Sequence, residues 1–405
     1  MVNINDTVLL RKENLDMDKV RMGIIGVGNM GSGHAKSLVA GKVPEMELVA
    51  VADLNPARRE WAKETLPESV AIYESGDELI DSGCCDAVLI AVPHYQHPTL
   101  AIRAFGKGLH VMCEKPAGVY TKQVREMNEA AAKTNVVFGM MFNQRTNHVY
   151  RKMHELVTGG EYGQIKRVNW IITDWYRTQA YYDSGNWRAT WDGEGGGVLL
   201  NQCPHNLDLL QWICGLPVKV LAVTHNGKWH HIEVEDDVTA YMEFENGATG
   251  VFITSTGDAP GTNRFEVDLE RAKIVCENDN LSVYELEENE REFCFTCKEG
   301  FKRPDGKYIT VETDGQHTGH NGVLAAFAGK ILHGTPLVAE GVEGIRGLTL
   351  SNAIHLSSWL GRAVEIPFDE DLFLAELNKR RATSRVKTGE EVHFDTEGTY
   401  GSKTE

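Results

Sequence analysis

Residues Val20–Gly33 read VRMGIIGVGNMGSG, and the order of residue types in this stretch decides the fold. Met22–Ile25 is a short apolar run of the kind that forms a buried strand. It leads into Gly26-Val27-Gly28-Asn29-Met30-Gly31, a G-x-G-x-x-G pattern, and Ser32–Ala40 has helical composition. In a dinucleotide-binding turn the first glycine makes the tight turn, the second lets the backbone approach a pyrophosphate, and the third lets the helix lie close to the sheet. The phosphates then face the helix N-terminus, where unpaired N–H groups and the helix dipole favour negative charge. Glycine-rich turns are common, so the context carries the reading. Met46–Ala52 (MELVAVA) reads as a second buried strand and ends at Asp53, about twenty residues past the glycines, where a ribose-binding carboxylate belongs.

The strand–helix alternation continues. Pro56–Thr65, Asp77–Ser82, His97–Gly106 and Thr121–Thr134 read as helices, the last opened by a Thr121 cap, with strands at Ala87–Val92, Leu109–Cys113 and Val136–Met141. Strands separated by helices of this length imply right-handed crossovers and a parallel sheet covered on both faces. The ligand crevice of such a sheet lies beyond the carboxyl ends of its strands. Asp53-Leu54, Ala91 to His94 and Glu114-Lys115 all fall at those ends.

Past about residue 145 the texture changes to helices at Val149–Val157 and Pro204–Cys214, a long strand at Ile165–Asp174, and a hairpin of Val238–Phe244 with Thr249–Ser255 around Glu245-Asn246-Gly247. Strand-like runs at Phe265–Leu269, Lys273–Glu277 and Leu281–Leu286 precede helices at Val323–Ile331 and Gly347–Leu360. The expected organisation is a polar extension (1–18), a dinucleotide-binding α/β domain (19–145), an α+β domain with a largely antiparallel sheet (146–387) and a polar tail (388–405).

Composition bounds the rest. The 405 residues are 42% hydrophobic and 24% charged, with 41 Lys plus Arg against 58 Asp plus Glu for a net charge of −17. That balance argues against a nucleic-acid or anionic-membrane partner. No stretch has the apolar length of a membrane span, and the first residues lack an export signal, so a cytoplasmic location is expected. Most of the eight cysteines are expected to be buried and reduced. Cys294-x-x-Cys297 has no second pair, and His230, His231, Glu233, Glu235 and Asp236 lack a metal-binding spacing. No metal is expected, and the latter group reads as a charged strand edge.

Two motifs resemble one family. Cys113-Glu114-Lys115-Pro116 is similar to the Glu-Lys-Pro motif of the Gfo/Idh/MocA oxidoreductases, and Gly195 to His205 (GGGVLLNQCPH) resembles their second signature. Gly341-Val342-Glu343-Gly344 before a long helix is similar to their C-terminal segment. The resemblance covers about residues 20–370. It implies a Rossmann domain with a doubly wound parallel sheet, a second domain whose open sheet serves a homo-oligomer (dimer or tetramer), and NAD(P)-linked oxidation or reduction of sugars or cyclitols. It also implies that Pro93, His94 and His97 form the loop beneath the nicotinamide and that Trp187-Arg188 lies near the cofactor. A bland surface role stands as the alternative for His97 and Arg188.

Lys115 at a strand's carboxyl end is a compact cation able to stabilise the oxyanion that develops as hydride leaves an alcohol. The plain alternative is a surface lysine paired with Glu114. His205, with an ordinary pKa near working pH, is the natural acceptor for the alcohol proton. Its alternative is a structural histidine at a helix start. Asn201 and Asp208 share a face with it if the helix extends back, and Asp208 then either orients the imidazole or forms a salt bridge elsewhere. Many relatives in the resembled family carry Asp where this chain has Asn201. An amide only hydrogen-bonds and positions substrate, which leaves proton transfer to His205 and Lys115.

Asp53 repels a 2′-phosphate and so favours NAD over NADP. Trp175, Tyr176, Tyr181, Tyr182, Trp187 and Trp191 are interleaved with Arg177, Asp183 and Arg188. They read as a sugar-stacking wall, with core packing the alternative for half of them. His317 and His320 either reach the same cleft or lie on a solvated loop. The expected function is NAD-linked oxidation of a secondary hydroxyl of a sugar or glycoside, with a glucoside 3-hydroxyl and 3-keto product favoured. One rival reading is redox-neutral glycoside cleavage with retained NAD and Tyr176 or Tyr182 as the further base. The other is a non-enzymatic sugar or dinucleotide sensor on the same fold.

Overall fold

A computed structural model describes residues 18–387. Six parallel strands form the first sheet: β1 (Val20–Ile25), β2 (Met46–Ala52), β3 (Ala71–Tyr73), β4 (Ala87–Ile90), β5 (His110–Cys113) and β6 (Phe138–Met140), in the order β3-β2-β1-β4-β5-β6. The order reverses beside β1, so the crevice opens at the carboxyl ends of β1 and β4. Every residue of β4 is buried, as expected for a strand covered on both faces. The helix Pro56–Thr65 begins with Asn55 accepting from Ala57 N and with Pro at its first position, a favoured start.

The second sheet has nine strands: β7 (Ile165–Ile172), β8 (Lys219–Asn226), β9 (Glu235–Glu243), β10 (Thr249–Ser255), β11 (Asn263–Leu269), β12 (Ala272–Glu277), β13 (Asn280–Leu286), β14 (Gly306–Ile309) and β15 (Val364–Glu365). Their order is β14-β13-β12-β11-β7-β10-β9-β8-β15, antiparallel except for β7 with β10. One face is buried through Val168, Trp170, Phe252, Phe265 and Met242. The other leaves Ile171, Leu221, Val223 and Tyr241 exposed, in register across β7, β10, β9 and β8.

Several expectations need correction. Thr121 does not cap its helix: Tyr120 is the cap residue, and Thr121 N donates 3.0 Å to Asn352 Oδ1. The sequence reading also omits β3, β8, β14, β15 and the helices Gln179–Asp183, Glu290–Thr296 and Glu370–Arg381. The helix Gly319–His333 belongs by position to the second half, yet its Val323, Leu324 and Phe327 pack with Met22 and Ile24. The core of the first sheet is thus completed by a much later segment. The tail 388–405 lies outside the described residues, as does nearly all of the N-terminal extension.

Candidate active site

The glycine turn is shaped by packing. Gly26 has φ +89°, and a Cβ there would stand 2.5 Å from the Ala91 carbonyl oxygen. A Cβ on Gly31 would lie 1.8 Å from Gly26 O, whereas one on Gly28 would meet nothing within 4 Å. Two glycines therefore bring chain against chain, and the middle one leaves open space for a ligand. Asp53 fixes the same turn, its Oδ2 accepting from Val27 N (2.9 Å) and its Oδ1 from Asn55 N (2.8 Å). Arg58 and Arg59 hold the carbonyls of Val27 (2.7 Å) and Asp53 (2.8 Å).

A cleft of about 700 Å³ begins at this turn, within the range of small-molecule sites. Gly26, Gly28, Asn29, Met30, Asp53 and Leu54 line one end. Ala91, Pro93, His94 and His97 line the middle, and Glu114, Lys115, Trp187 and Arg188 the far part. Gly31 is packed behind the lining. His97 is buried, with its ring nitrogens 2.8 Å from Pro116 O and 2.7 Å from Val92 O, so it is not a surface residue. The open backbone at Gly28, the helix start at Asn29 and the Asp53 carboxylate suit a dinucleotide pyrophosphate and ribose, and this donor set fits NAD.

At the far end, Lys115 Nζ donates 2.9 Å to the carbonyl of Asn201, joining the end of β5 to the segment before the helix Pro204–Cys214. Burial lowers the proton affinity of Lys115, with Arg188 and Arg177 adding to the fall and Glu114 and Glu194 opposing it. Burial also pushes Glu114 up, but His34, His320 and Lys115 outweigh it and hold the carboxyl at about 2. His34 Nε2 lies 2.7 Å from Glu114 Oε1. Lys115 is thus not the surface lysine of the alternative reading.

His205 is 3% exposed, and neither ring nitrogen has a hydrogen-bond partner among the described residues. Burial and then the Lys115 charge push its pKa well below the usual value, so the imidazole is neutral and able to accept a proton. A buried polar group left unpaired is costly; His205 is not itself in the cleft lining, which its segment reaches through Asn201 and Gln202.

The substrate-side residues divide. Trp175, Tyr176, Arg177 and Asn201 line the cleft. The Asn201 side chain is already engaged, with Oδ1 accepting from Tyr181 OH (3.0 Å) and Gln202 Nε2 (3.2 Å) and Nδ2 donating to Glu194. Asp208 does not orient His205. It is bound by Arg145 at 2.8 and 2.7 Å, and Arg145 also bonds Glu343 at 2.6 Å. Tyr182 is buried with its hydroxyl 2.7 Å from Thr256 Oγ1; burial raises its pKa, which unsuits it as a base, and it does not line the cleft. His317 is exposed, with its backbone bridged to Asn147, and is also absent from the lining. Its neighbour His320 comes closer, edge-on to His34 at 5.4 Å, with burial lowering its pKa to about 4.

Glu194 is the residue that sequence reasoning missed. It is buried, accepts from Ala189 N at 2.6 Å, contacts Asn201 and lies 3.8 Å from Arg188. Burial raises its pKa against those partners. Its position directly before the Gly195 run was the available signal. Glu235 and Asp236 form no exposed strand edge: both are buried, Glu235 accepting from Gly197 N and Leu199 N and Asp236 from three backbone N–H groups. Among the described residues no cluster of His, Cys, Asp and Glu is placed to hold a metal.

Family models match both halves of the chain. Residues 20–142 match the oxidoreductase family with an NAD-binding Rossmann fold, and residues 150–275 match the GFO/IDH/MocA C-terminal domain. The myo-inositol 2-dehydrogenase of Thermotoga maritima is 26% identical over 355 residues, covering 86% of this chain and 98% of that protein. A glucose-6-phosphate 3-dehydrogenase of Bacillus subtilis is 32% identical over 148 residues, 36% of this chain and 41% of its own length. The WlbA dehydrogenase of Chromobacterium violaceum, solved with NADH and UDP-GlcNAcA, is 25% identical with a TM-score of 0.74, covering 87% of this chain and 97% of that one. With both domains matched and the glycine turn, Asp53 and Lys115 arranged along one cleft, the chain belongs to the Gfo/Idh/MocA family of sugar and cyclitol dehydrogenases, an NAD-dependent oxidoreductase acting on CH–OH groups.

Proposed function

We propose that the protein oxidises a secondary hydroxyl on the ring of a glycoside, with the 3-hydroxyl and a 3-keto product favoured. The observation that carries this is the Lys115 ammonium in the lining of an aromatic-walled cleft, together with the buried imidazole of His205, which has no hydrogen-bond partner among the described residues and feels the Lys115 charge. Bound NAD supplies the hydride acceptor. Lys115 stabilises the developing oxyanion, at a site where burial strengthens the interaction. His205 takes the hydroxyl proton. Trp175, Tyr176 and Trp187 offer apolar faces for a sugar ring, while polar groups of the wall fix its hydroxyls. The relative named glucose-6-phosphate 3-dehydrogenase supports the choice of hydroxyl.

The exposed Ile171, Leu221, Val223 and Tyr241, in two adjacent rows, support a homo-oligomer formed through the outer sheet face. No helix among the described residues is long and apolar enough to cross a membrane, and with the acidic composition this supports a cytoplasmic enzyme. The test is purified protein, NAD and a glucoside panel, followed by NADH absorbance and product analysis. A 3-keto glycoside is expected. Oxidation confined to free cyclitols refutes the glycoside reading, and absence of NADH with every sugar refutes the net oxidation.

A further inference from the structure

Arg177 is the least explained charge in the cleft. Its Nη1 donates to the carbonyls of Tyr176 (2.9 Å) and Trp175 (3.4 Å), and the guanidinium lies over the rings of Tyr181 (5.2 Å) and Trp175 (5.6 Å). Nε and Nη2 make no hydrogen bond, and the group makes no ion pair, among the described residues. Those two nitrogens are the parallel donors of the guanidinium fork.

The backbone that presents this fork is pinned. Arg177 N donates to Thr256 O at 2.9 Å. The His230 ring spans from Asp236 Oδ2, 2.9 Å from Nδ1, to Arg177 O, 2.9 Å from Nε2. Asp236 is buried and itself held by the N–H groups of Lys228, Trp229 and His230. A buried carboxylate and an imidazole therefore fix the main chain of a cleft-lining arginine.

Its surroundings hold two further cations, Lys115 and Arg188, and two carboxylates, Glu114 and Glu194. Arg177 and Arg188 both act on Lys115, which puts three cations at the reacting end of a chain whose net charge is −17. Glu114 is engaged by His34, and Glu194 by Ala189 N, Asn201 and, at 3.8 Å, Arg188, so neither carboxylate pairs with Arg177. The pyrophosphate of the dinucleotide belongs to the glycine turn, where the helix start already provides for it. Like charges gathered in a partly buried site repel unless an anion joins them.

Resting on the oxidoreductase reading above, we infer that the substrate carries an oxyanion substituent, a carboxylate or a phosphate, away from the reacting hydroxyl, and that the Arg177 fork binds it. A fork held in place matches either group in a two-point contact.

The test uses NAD-loaded enzyme and three probes: methyl glucoside, methyl glucuronide and methyl glucoside 6-phosphate. Binding is measured by calorimetry, and turnover by NADH formation. At least one acidic probe is expected to bind about ten- to a hundredfold more tightly than the neutral one, the range of charge-assisted contacts. Better binding of the glucuronide or of the phosphate identifies which oxyanion the fork takes. Arg177→Met is expected to reduce the acid-to-neutral ratio at least about tenfold, and Arg177→Lys to keep the phosphate preference better than the carboxylate preference. A neutral probe that binds as well as both acids, or a ratio unmoved in Arg177→Met, overturns the inference and leaves glycoside oxidation standing. Tight binding of an acid without NADH formation upholds the inference and refutes that oxidation. Absence of binding by all three refutes both.

Discussion

Replacing Lys115 by Ala separates the chemistry from the fold. The lysine is half-buried in the cleft lining, and its ammonium makes a 2.9 Å hydrogen bond to Asn201 O. A hydrogen bond to a charged group contributes about 1.5–3 kcal/mol. Releasing a partly buried cation from its desolvation penalty offsets much of that loss, so the melting temperature should change by only a few degrees. Catalysis has no such offset. Removing one oxyanion-stabilising donor typically costs about 10²–10³ in kcat, and here the lost donor carries a full charge. A fall of at least about 10³, close to 4 kcal/mol of barrier, is expected. NAD affinity, which depends on the glycine turn and Asp53, should change less than about fivefold. The assays are steady-state NADH formation, fluorescence titration with NAD, and thermal melting. A variant that binds NAD and retains kcat/KM within about tenfold of wild type refutes the role given to Lys115.

The imidazole must be neutral to accept a proton, and the His205 pKa lies well below the ordinary histidine value. Activity should therefore persist below pH 6.5, and His205→Gln should remove the acidic limb of the pH–rate profile together with about 10²–10⁴ of kcat. Lys115 must be protonated and its pKa is lowered, so the alkaline limb should begin below the ordinary lysine value. Glu194→Gln should move that limb further down, because Glu194 favours the protonated lysine. Asp208→Asn breaks a buried ion pair with Arg145 and should destabilise by about 3–5 kcal/mol; calorimetry checks this, and the acidic limb should stay where it is. Gly31→Ala puts a Cβ 1.8 Å from Gly26 O, and a stability loss of about 1–3 kcal/mol or more with weakened NAD binding is expected by melting and titration.

The dinucleotide end was legible because its determinants are local. Glycine spacing, a strand before it and a carboxylate at the end of the next strand all fall within Val20–Asp53, and one stretch of chain builds that end of the cleft. The reacting end was legible only in part. Lys115 and His205 stand in recognisable motifs, but what surrounds them is set by contacts distant in sequence. Asp208 is three residues from His205, which suggests that it orients the imidazole; its partner Arg145 lies sixty-three positions away and outbids the local neighbour. Likewise Thr121 looks like a cap until Asn352 supplies its partner from the far end of the chain. The strand β8 alternates buried and exposed residues from Lys219 to Thr224, but Val220 to Val223 are all apolar, so the alternation is set by the sheet and not by residue type.

The identity of residue 201 follows from Glu194. Asn201 Nδ2 donates to Glu194 Oε1 while its Oδ1 accepts from Tyr181 and Gln202. A carboxylate at 201 would stand within hydrogen-bond reach of a second buried carboxylate, and two such groups cannot both ionise. One would hold a proton, and the other, ionised, would compete with His205 for the proton that leaves the substrate. With an amide at 201 the pair is satisfied, donor to acceptor, and the acidic function sits on Glu194, which favours the charged form of Lys115. Asn201 is therefore a linker whose carbonyl holds the ammonium and whose side chain holds Glu194. On the proposed mechanism, an amide at 201 leaves the imidazole of His205 as the group to receive the proton.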